Sequence, residues 1–340
     1  MRAAFAILWD SFQLLRARRL FWVALMISMF VALMYASIGF NEKGMSILFG
    51  WKQVDSEFLQ KGKPEAAAFY TMLFTDIIAR FWLAWFAIGL ALISTANIFP
   101  EFLAEGSIGI SVSKPVGRIR LFLLKYLGGL LFVALQVGLF TLIVFLSVGL
   151  RLGEWNFTLF WAVPVVTFVF SLVYVVAVWV GVWTKSTLAA LLAAGLVWGV
   201  SLLAQWTESF FYQTAYLLPE SGMKVDFKTG EATTGNADVE RSNAMATAHE
   251  TSKAVTSPLP KTRDCTLYLK RLIRFPERDS LLSGVTFDML LSGQLPDKKM
   301  TGAMRRMEDR HSAWYVFGTS AAFEIVVLGL AGWIFVRRDY

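Results

Sequence analysis

The chain has 340 residues, of which 56% are hydrophobic and 17% are charged, and its formal net charge is +7. A soluble domain is about half apolar and about a quarter charged. The composition therefore excludes a typical soluble protein and indicates a polytopic helical membrane protein. In that class, positively charged residues determine the orientation of the helices and interact with anionic lipid headgroups. The net positive charge therefore does not indicate nucleic-acid binding.

Residue types that carry catalytic or metal-binding chemistry are scarce. The single cysteine, Cys265, excludes an intrachain disulfide, and two histidines, His249 and His311, are too few for a histidine-rich metal site. The sequence contains no nucleophile–base pair and no glycine-rich cofactor loop. We therefore expect neither an enzyme nor a chain that binds a metal or cofactor.

Residues 1–19 are predicted to form an amphipathic helix rather than a membrane span. Its apolar residues recur at helical spacing: Phe5, Leu8, Trp9, Phe12 and Leu15. Such a helix lies in the membrane interface with its apolar face towards the lipid. The alternative is an ordinary helix packed on other protein.

Six apolar runs follow, each long enough to cross about 30 Å of hydrocarbon. They are Leu20–Phe40, Ile78–Phe99, Leu121–Leu150, Phe157–Trp183, Thr187–Trp206 and Ala313–Val336. We predict an all-α polytopic fold with spans one to five in residues 20–206 and span six in residues 313–340. Pro164 is predicted to kink the fourth span, and Gly128 and Gly129 to allow close helix contact in the third.

Basic residues predict the orientation of these spans. Those in short connections fall on one side: Arg16, Arg18, Arg19, Lys114, Arg118, Arg120, Lys125, Lys185, Arg337 and Arg338. The positive-inside rule makes that side cytoplasmic. We therefore expect a multi-pass protein of the plasma membrane, in a bacterium the inner membrane, with both termini in the cytoplasm.

Residues 207–312 are predicted to form an external module between spans five and six. Long loops are translocated largely regardless of charge, so the basic residues of this segment do not exclude an external location. Its expected elements are an interfacial helix, a small hairpin, two amphipathic helices and a charged helix: Glu208–Leu218, Val225–Thr233, Thr266–Phe275, Ser280–Leu291 and Asp297–Ser312.

The polar stretch 100–118 interrupts the apolar runs between spans two and three. Glu101 and Glu105 are four residues apart and share one face of a helix, and Gly106 then allows the backbone to turn. A short helix with exposed acids, held between two spans, is a suitable lever for a soluble partner. The alternative is a charged loop that only sets topology.

This part of the chain resembles the permeases of ABC-2 type transporters. The matching residues are Glu105-Gly106, Val112-Ser113-Lys114-Pro115-Val116-Gly117-Arg118, Lys125-Tyr126-Leu127-Gly128 and the ending Phe335-Val336-Arg337-Arg338-Asp339-Tyr340. Two features depart from that family. Ser107-Ile108 stands where a threonine-containing run is common, and the segment between spans five and six is longer than usual.

The resemblance implies that two permease subunits pair in the membrane, among its lipids, either as two copies of this chain or as this chain with a related one, and that each docks a separate ABC ATPase. The residues that would couple this motor to the spans are Glu101, Glu105, Gly106, Lys114, Pro115 and Arg118. The chain contains no phosphate-binding loop of the G-x-x-x-x-G-K-[ST] type. ATP and magnesium are therefore expected on the partner subunit.

Glu324 is the one acid well inside a predicted span, because it lies about ten residues past Trp314 and so about 15 Å deep. Intramembrane carboxylates are costly and are functional candidates, so Glu324 could line a translocation path or carry a proton. The alternative is a carboxyl group hydrogen-bonded to a neighbouring helix. Asp76 and Arg80, at the mouth of span two, are predicted to form a local ion pair.

Two further functions stay open on the sequence. The chain could be a membrane anchor, assembly or mechanotransmission protein whose external segment binds a protein partner without transport. It could also be an ion-coupled carrier that uses Glu324, in which case activity would follow the proton gradient rather than ATP.

The external location of residues 207–312 is testable by labelling. A cysteine introduced at Asn236 is expected to react with a membrane-impermeant thiol reagent in intact cells. Reaction only after permeabilisation would place the segment on the cytoplasmic side.

Overall fold

In the computed structural model, six helices among the residues that it describes are long and apolar enough to cross a membrane. They are Arg19–Ala36, Glu65–Phe102, Arg118–Leu152, Phe157–Thr184, Thr187–Tyr216 and Trp314–Arg337, called spans one to six below. The predicted number and order of spans are confirmed. Span two is longer than predicted, since it begins at Glu65 instead of Ile78.

The structure describes residues 13, 16, 19–56, 59–103, 117–153, 155–217, 223–225, 232–234, 243–273, 306 and 310–338. At residues 64, 80, 217, 223–225 and 232–234 it describes the backbone alone. The predicted interfacial helix of residues 1–19 and the helices predicted at Ser280–Leu291 and Asp297–Ser312 lie wholly or mostly outside these ranges.

The helices and strands follow one another in a simple order. The helices are α1 (Arg19–Ala36), α2 (Pro64–Met72, continued π-helically by Leu73–Ala87 and then by Ile88–Thr95), α3 (Ile98–Phe102), α4 (Arg118–Leu152), α5 (Ala162–Thr184, after a 3-10 turn at Phe157–Trp161), α6 (Thr187–Tyr212, continued π-helically by Gln213–Leu217), α7 (Asn243–Thr256), α8 (Thr262–Leu272) and α9 (Thr319–Arg337, after a π-helical turn at Trp314–Gly318). The strands are β1 (Gly39–Asn41), β2 (Gly44–Ile47), β3 (Lys52–Asp55), β4 (Met223–Val225) and β5 (Ala232–Thr234).

Span four is the centre of the bundle. Its helix α5 is apolar on every face and most of it is buried, as is typical of a helix that other helices surround. Spans three, five and six pack against it. Pro164 lies in the first turn of α5, where backbone N–H groups have no intrahelical partner. The proline thus belongs to the start of α5, directly after the 3-10 turn, and the kink predicted there stays a prediction.

The spans alternate in direction, and their connections gather at two ends of the bundle. At the first end, called the arginine end, Arg118 at the start of span three contacts Val336 and Arg338 at the end of span six. Arg338 in turn contacts Trp183 at the end of span four. The other end, called the sheet end, holds β1–β3 and the helices α7 and α8.

A small antiparallel sheet of order β1-β2-β3 connects spans one and two. Its register pairs Phe40 with Met45 and Met45 with Val54. Gly44 has a φ of +144°, and a Cβ there would lie 2.4 Å from the carbonyl oxygen of Val54, so this tight turn requires glycine. The sequence analysis predicted no strands here, because strands of three or four residues carry too little periodicity to detect.

The segment between spans five and six matches the predictions in part. The pairing of β4 with β5, with Val225 opposite Ala232, confirms the predicted hairpin. The interfacial helix predicted at Glu208–Leu218 is instead the continuation of span five. Helix α8 begins at Thr262, earlier than predicted, and α7 was not predicted. Both α7 and α8 pack against span five.

The close contact predicted at Gly129 is confirmed, since a Cβ there would lie 2.7 Å from the hydroxyl oxygen of Tyr174 in span four. Gly138, in the same helix, has open space at that position. We expect Gly129→Ala to lower the free energy of unfolding by about 1–3 kcal/mol, because a fully buried tyrosine must shift. Gly138→Ala is the matched control and should be neutral or slightly stabilising.

Thermal unfolding of the purified variants in detergent measures both effects. An unchanged midpoint for Gly129→Ala would contradict the close packing of spans three and four.

Candidate functional site

The structure places two of the six predicted coupling residues at the arginine end. Glu101 lies on helix α3 with an exposed side chain, and Arg118 begins span three. Glu105, Gly106, Lys114 and Pro115 lie outside the described residues, so their predicted roles stay predictions.

Helix α3 is a short, separate element at the end of span two. The helix of span two breaks at Ala96 and Asn97, and α3 then runs from Ile98 to Phe102. Proline has no N–H for the carbonyl four residues earlier, so Pro100 leaves Ala96 without that bond and accounts for the break. Sequence analysis ended the second apolar run at Phe99, within α3, and did not predict the break at Ala96 and Asn97, while span two as a whole extends to Phe102.

Aromatic contacts hold α3 firmly on three other spans. The ring of Phe102 stacks on Phe335 of span six at a centroid distance of 6.1 Å, and Phe99 lies 5.3 Å from Phe122 of span three. Pro100 packs on Gly181 of span four, where a Cβ would lie 3.4 Å from the proline ring. A displacement of α3 would therefore be transmitted to spans three, four and six.

Two arginines bind the last carbonyl groups of neighbouring spans. The guanidinium of Arg118 donates to the carbonyl oxygens of Val336 at 3.0 Å and Arg338 at 3.3 Å. Arg338 donates to the carbonyl of Trp183 at 3.1 Å and also to that of Val182. The last carbonyls of a helix lack intrahelical partners and attract cations. Arg118 thus links the start of span three to span six, beside α3.

Glu324 is half-buried and hydrogen-bonds with two other spans. Its Oε1 accepts from the hydroxyl of Tyr126 in span three at 2.7 Å, and its Oε2 accepts from the hydroxyl of Ser171 in span four at 2.9 Å. This geometry matches the alternative in which the carboxyl group joins helices. A role of Glu324 in transport stays a prediction.

Two glutamines within the spans also join helices. Gln136 of span three donates to the hydroxyl of Ser28 in span one at 2.7 Å. Gln205 of span five accepts from the backbone N–H groups of Arg263 at 3.1 Å and Asp264 at 3.2 Å. Gln205 therefore caps the first turn of α8, where backbone donors are otherwise unpaired.

A group of charged residues that sequence analysis did not single out is buried at the sheet end. It is called the ionic cluster and consists of Glu208, His249, Asp264, Arg310 and His311. The side chains are at most 8% exposed, and that of Glu208 is fully buried. Burial of so many titratable groups is costly unless they compensate one another.

Glu208 and Asp264 are the acidic centre of the ionic cluster. Oε1 of Glu208 lies 2.7 Å from Nε2 of His311, 4.0 Å from Nε2 of His249 and 3.9 Å from Nε of Arg310. The guanidinium of Arg310 donates to Oδ1 of Asp264 at 3.0 Å. Nε2 of His311 lies 3.9 Å from Oδ2 of Asp264.

Four separate elements bring these side chains together. Glu208 lies on span five, His249 on α7 and Asp264 in the first turn of α8, where an acid is favoured by the helix dipole. Arg310 and His311 directly precede span six. The ionic cluster therefore fastens α7 and α8 to spans five and six.

Neighbouring charges extend this fastening. The ammonium group of Lys261 is buried, donates to the hydroxyl of Thr319 at 2.7 Å and lies 4.5 Å from the ring centroid of Tyr315. Burial lowers the pKa of Lys261. Burial also lowers the pKa of His249, although the negative charge of Glu208 acts in the opposite direction.

Asp76 forms an ion pair with Lys270 of α8 at 2.6 Å. The side chain of Arg80 is not described, so its predicted pair with Asp76 stays a prediction.

No local pattern in the sequence marks the ionic cluster. Its five residues spread over more than a hundred positions, and the two histidines are 62 residues apart by their numbers, His249 and His311. The one available signal was the presence of isolated charged residues beside apolar runs, as at Glu208. Only the fold shows that one nitrogen or oxygen atom from each of Glu208, Asp264 and His311, of the kind that can bind a metal ion, lies within 4.8 Å of the other two.

A cavity of about 500 Å³ lies beside the ionic cluster, between span two, span five and α8. Its lining is mainly aromatic, with polar groups from α8 at one side: Phe81, Ala84, Trp85, Phe86, Trp198, Leu202, Trp206, Thr262, Arg263, Thr266 and Leu267. A cavity of this size and lining suits an apolar small molecule.

The hydrogen bonds of Glu324 can be tested with neighbouring tyrosines. Tyr126→Phe should lower the free energy of unfolding by about 1 kcal/mol, since it removes one hydrogen bond between spans. Glu324→Ala should lower it by more, since it removes the bonds to both Tyr126 and Ser171. The double variant should lose less than the sum, because both changes remove the same contact. Tyr174→Phe is the control: Tyr174 stacks on Tyr126, and its buried hydroxyl has no hydrogen-bond partner among the described residues.

Thermal unfolding in detergent compares the four variants. Additive losses in the double variant, or an equal loss for Tyr174→Phe, would contradict the bond between Tyr126 and Glu324.

Comparison with protein-family models, with curated proteins and with solved structures found no match to this chain. The resemblance to ABC-2 permeases therefore depends on the residues themselves and on the arrangement of the spans.

Proposed function

We propose that this chain is the membrane-spanning permease subunit of an ABC-2 type exporter. Two copies would pair in the membrane, and a separate ABC ATPase would dock on each at the arginine end, in the cytoplasm. ATP-driven closure of the motor would then move a substrate between the two copies. The chain would carry no catalytic residue of its own.

The observation that carries this proposal is the packing of α3. A coupling helix must expose a face to the motor and be rigidly joined to the spans that move. Glu101 is exposed on α3, while Phe99 and Phe102 on the same helix are buried against spans three and six. A short helix with one exposed acidic position and a buried aromatic face meets both requirements.

The connections around α3 support the same interpretation. The turn between spans four and five is only two residues long, with Lys185 in the left-handed conformation and Ser186 capping the next helix. Together with the arginine contacts, this turn joins the ends of spans three, four, five and six beside α3. Force applied at α3 would therefore reach most of the bundle.

A mechanotransmission role is the second candidate, and the ionic cluster is the observation that favours it. Helices α7 and α8 are fastened to spans five and six by buried ion pairs such as that of Arg310 with Asp264. Movement of the spans would be passed to residues 207–312 and to any external protein bound there. This candidate uses the same motor and differs in having no transported substrate.

Reversal of the acidic face tests the docking of the motor. Glu101→Lys combined with Glu105→Lys should reduce recovery of the ATPase with the tagged chain by at least about ten-fold, because like charges then meet across the interface. Glu42→Lys combined with Asp55→Lys is the matched control, since both acids are exposed at the sheet end. The measurement is co-purification from native membranes followed by quantitative mass spectrometry.

Both double variants must be present in the membrane in equal amounts, so that a lower recovery of the ATPase reflects weaker docking. Wild-type recovery of the ATPase with the Glu101 and Glu105 variant would contradict the coupling role of α3. Recovery of no ATPase with the wild-type chain would contradict the exporter proposal as a whole.

A further inference from the structure

The ionic cluster contains an unusual number of buried atoms without hydrogen bonds. Oε2 of Glu208, Oδ2 of Asp264 and both ring nitrogens of His249 have no hydrogen-bond partner among the described residues. More than about nine in ten buried polar groups in proteins are hydrogen-bonded, and a concentration of exceptions calls for an explanation. Other such atoms are scattered through the bundle, for example at Asn97, Thr141 and Tyr174, but in the ionic cluster four of them, from two acids and an imidazole, lie in one small region where four elements meet.

The chemistry of these atoms favours a cation over water. A carboxylate oxygen only accepts, and a neutral imidazole offers one lone pair beside one N–H. A single water can donate to two acceptors at most, whereas a metal ion binds several acceptors at once. Arg310 already donates to Oδ1 of Asp264 and to the hydroxyl of Ser209, and this leaves Oδ2 for another partner.

We propose that Glu208, His249, Asp264 and His311 form a four-ligand site for a divalent transition-metal ion, with Zn²⁺ as the ion that fits best. Two imidazoles argue against Mg²⁺ and Ca²⁺, which prefer oxygen ligands alone. Zn²⁺ is commonly bound by histidine nitrogen and carboxylate oxygen, and four protein ligands make a closed, structural site.

The distances between the ligand atoms are close to those of a zinc site. Tetrahedral bonds of about 2.0–2.1 Å place the ligand atoms about 3.4 Å apart. Nε2 of His311 lies 2.7 Å from Oε1 of Glu208 and 3.9 Å from Oδ2 of Asp264. Nε2 of His249 lies 4.0 Å from Oε1 of Glu208. The ligand atoms of Glu208, Asp264 and His311 lie within 4.8 Å of one another. His249 lies outside that group, so its imidazole must move further than the other three ligands to complete a tetrahedral site.

Arg310 is compatible with this site as an outer partner. Metal-bound carboxylates are usually hydrogen-bonded through their other oxygen, which orients them and fixes their charge. The bond from Arg310 to Oδ1 of Asp264 has this geometry.

Such an ion would fasten α7 and α8 by coordination. Its ligands come from span five, α7, α8 and the residue pair before span six. The site does not depend on the proposed motor, because it lies at the sheet end.

Metal binding can be measured on the full-length chain purified in detergent with a histidine-free tag. We expect close to one equivalent of Zn²⁺ by elemental mass spectrometry. After removal of the metal with a chelator, added Co²⁺ should give the visible absorption of a tetrahedral complex, and Zn²⁺ should displace it. Zn²⁺ but not Mg²⁺ should also restore the thermal midpoint that chelation lowers.

One variant and its control test whether His249 is a ligand of the metal ion. His249→Ala should weaken Zn²⁺ binding by at least about ten-fold, since it removes a direct ligand. Glu42→Gln is the control: Glu42 is exposed in the turn between β1 and β2 and is not one of the proposed ligands, so binding in this variant should be unchanged.

The metal measurements on the wild-type chain test the proposal even if a variant fails to fold. Absence of a tetrahedral Co²⁺ spectrum and of zinc above background in the wild-type chain would overturn the proposal and leave a hydrated ion-pair cluster. Equal affinities of the wild type and of folded His249→Ala would overturn the assignment of His249.

Discussion

The carboxyl and carboxamide groups of Glu324 and Gln136 inside this bundle bond to other helices, because neither lipid nor packed aliphatic side chains can supply a partner. Small hydroxyl side chains such as those of Ser94 and Thr95 instead bond a carbonyl of their own helix. Gln136 meets Ser28, and Glu324 meets Tyr126 and Ser171. Each pair joins spans that are distant in sequence. The apolar surfaces of the helices are largely interchangeable in lipid, so these few polar contacts decide which faces of the spans meet.

The same requirement shapes the ends of the helices. The last carbonyl of span one, at Ala36, accepts from the guanidinium of Arg151 at 2.7 Å, and Arg118 and Arg338 serve spans six and four in the same way. Each arginine belongs to a different span from the carbonyl it satisfies. These arginine–carbonyl hydrogen bonds therefore hold neighbouring spans in fixed positions at both ends of the bundle. At the arginine end they supply the rigidity that the proposed coupling through α3 requires.

The two ends differ in what they can do. At the arginine end a small helix with an exposed acid lies on a rigid aromatic base, as a mechanical contact requires. At the sheet end the charges are turned inward, where acids, imidazoles and a guanidinium compensate one another out of contact with water. An external partner would therefore meet the remaining surface of α7 and α8, while the ionic cluster holds these helices on the spans.

Sequence reasoning succeeded where a property depends on neighbours along the chain. The length of an apolar run is such a property, which is why all six spans were predicted, and so is the hairpin signal near Val225. It failed where a short element is stabilised by contacts from elsewhere, as in the strands around Gly44 and Met45. The break before Pro100 was not predicted, because the lost bond lies four residues before the proline.

The amino-acid sequence by itself determined that this chain is a bundle of six apolar helices, because burial in an apolar environment depends on composition over about twenty residues. Only the tertiary structure decided that Glu208, His249, Asp264, Arg310 and His311 share one buried site. Packing of four separate elements creates that proximity, and no spacing along the chain encodes it. It also decided that Glu324 joins three spans, since a carboxyl group acquires its partners only when the helices have assembled.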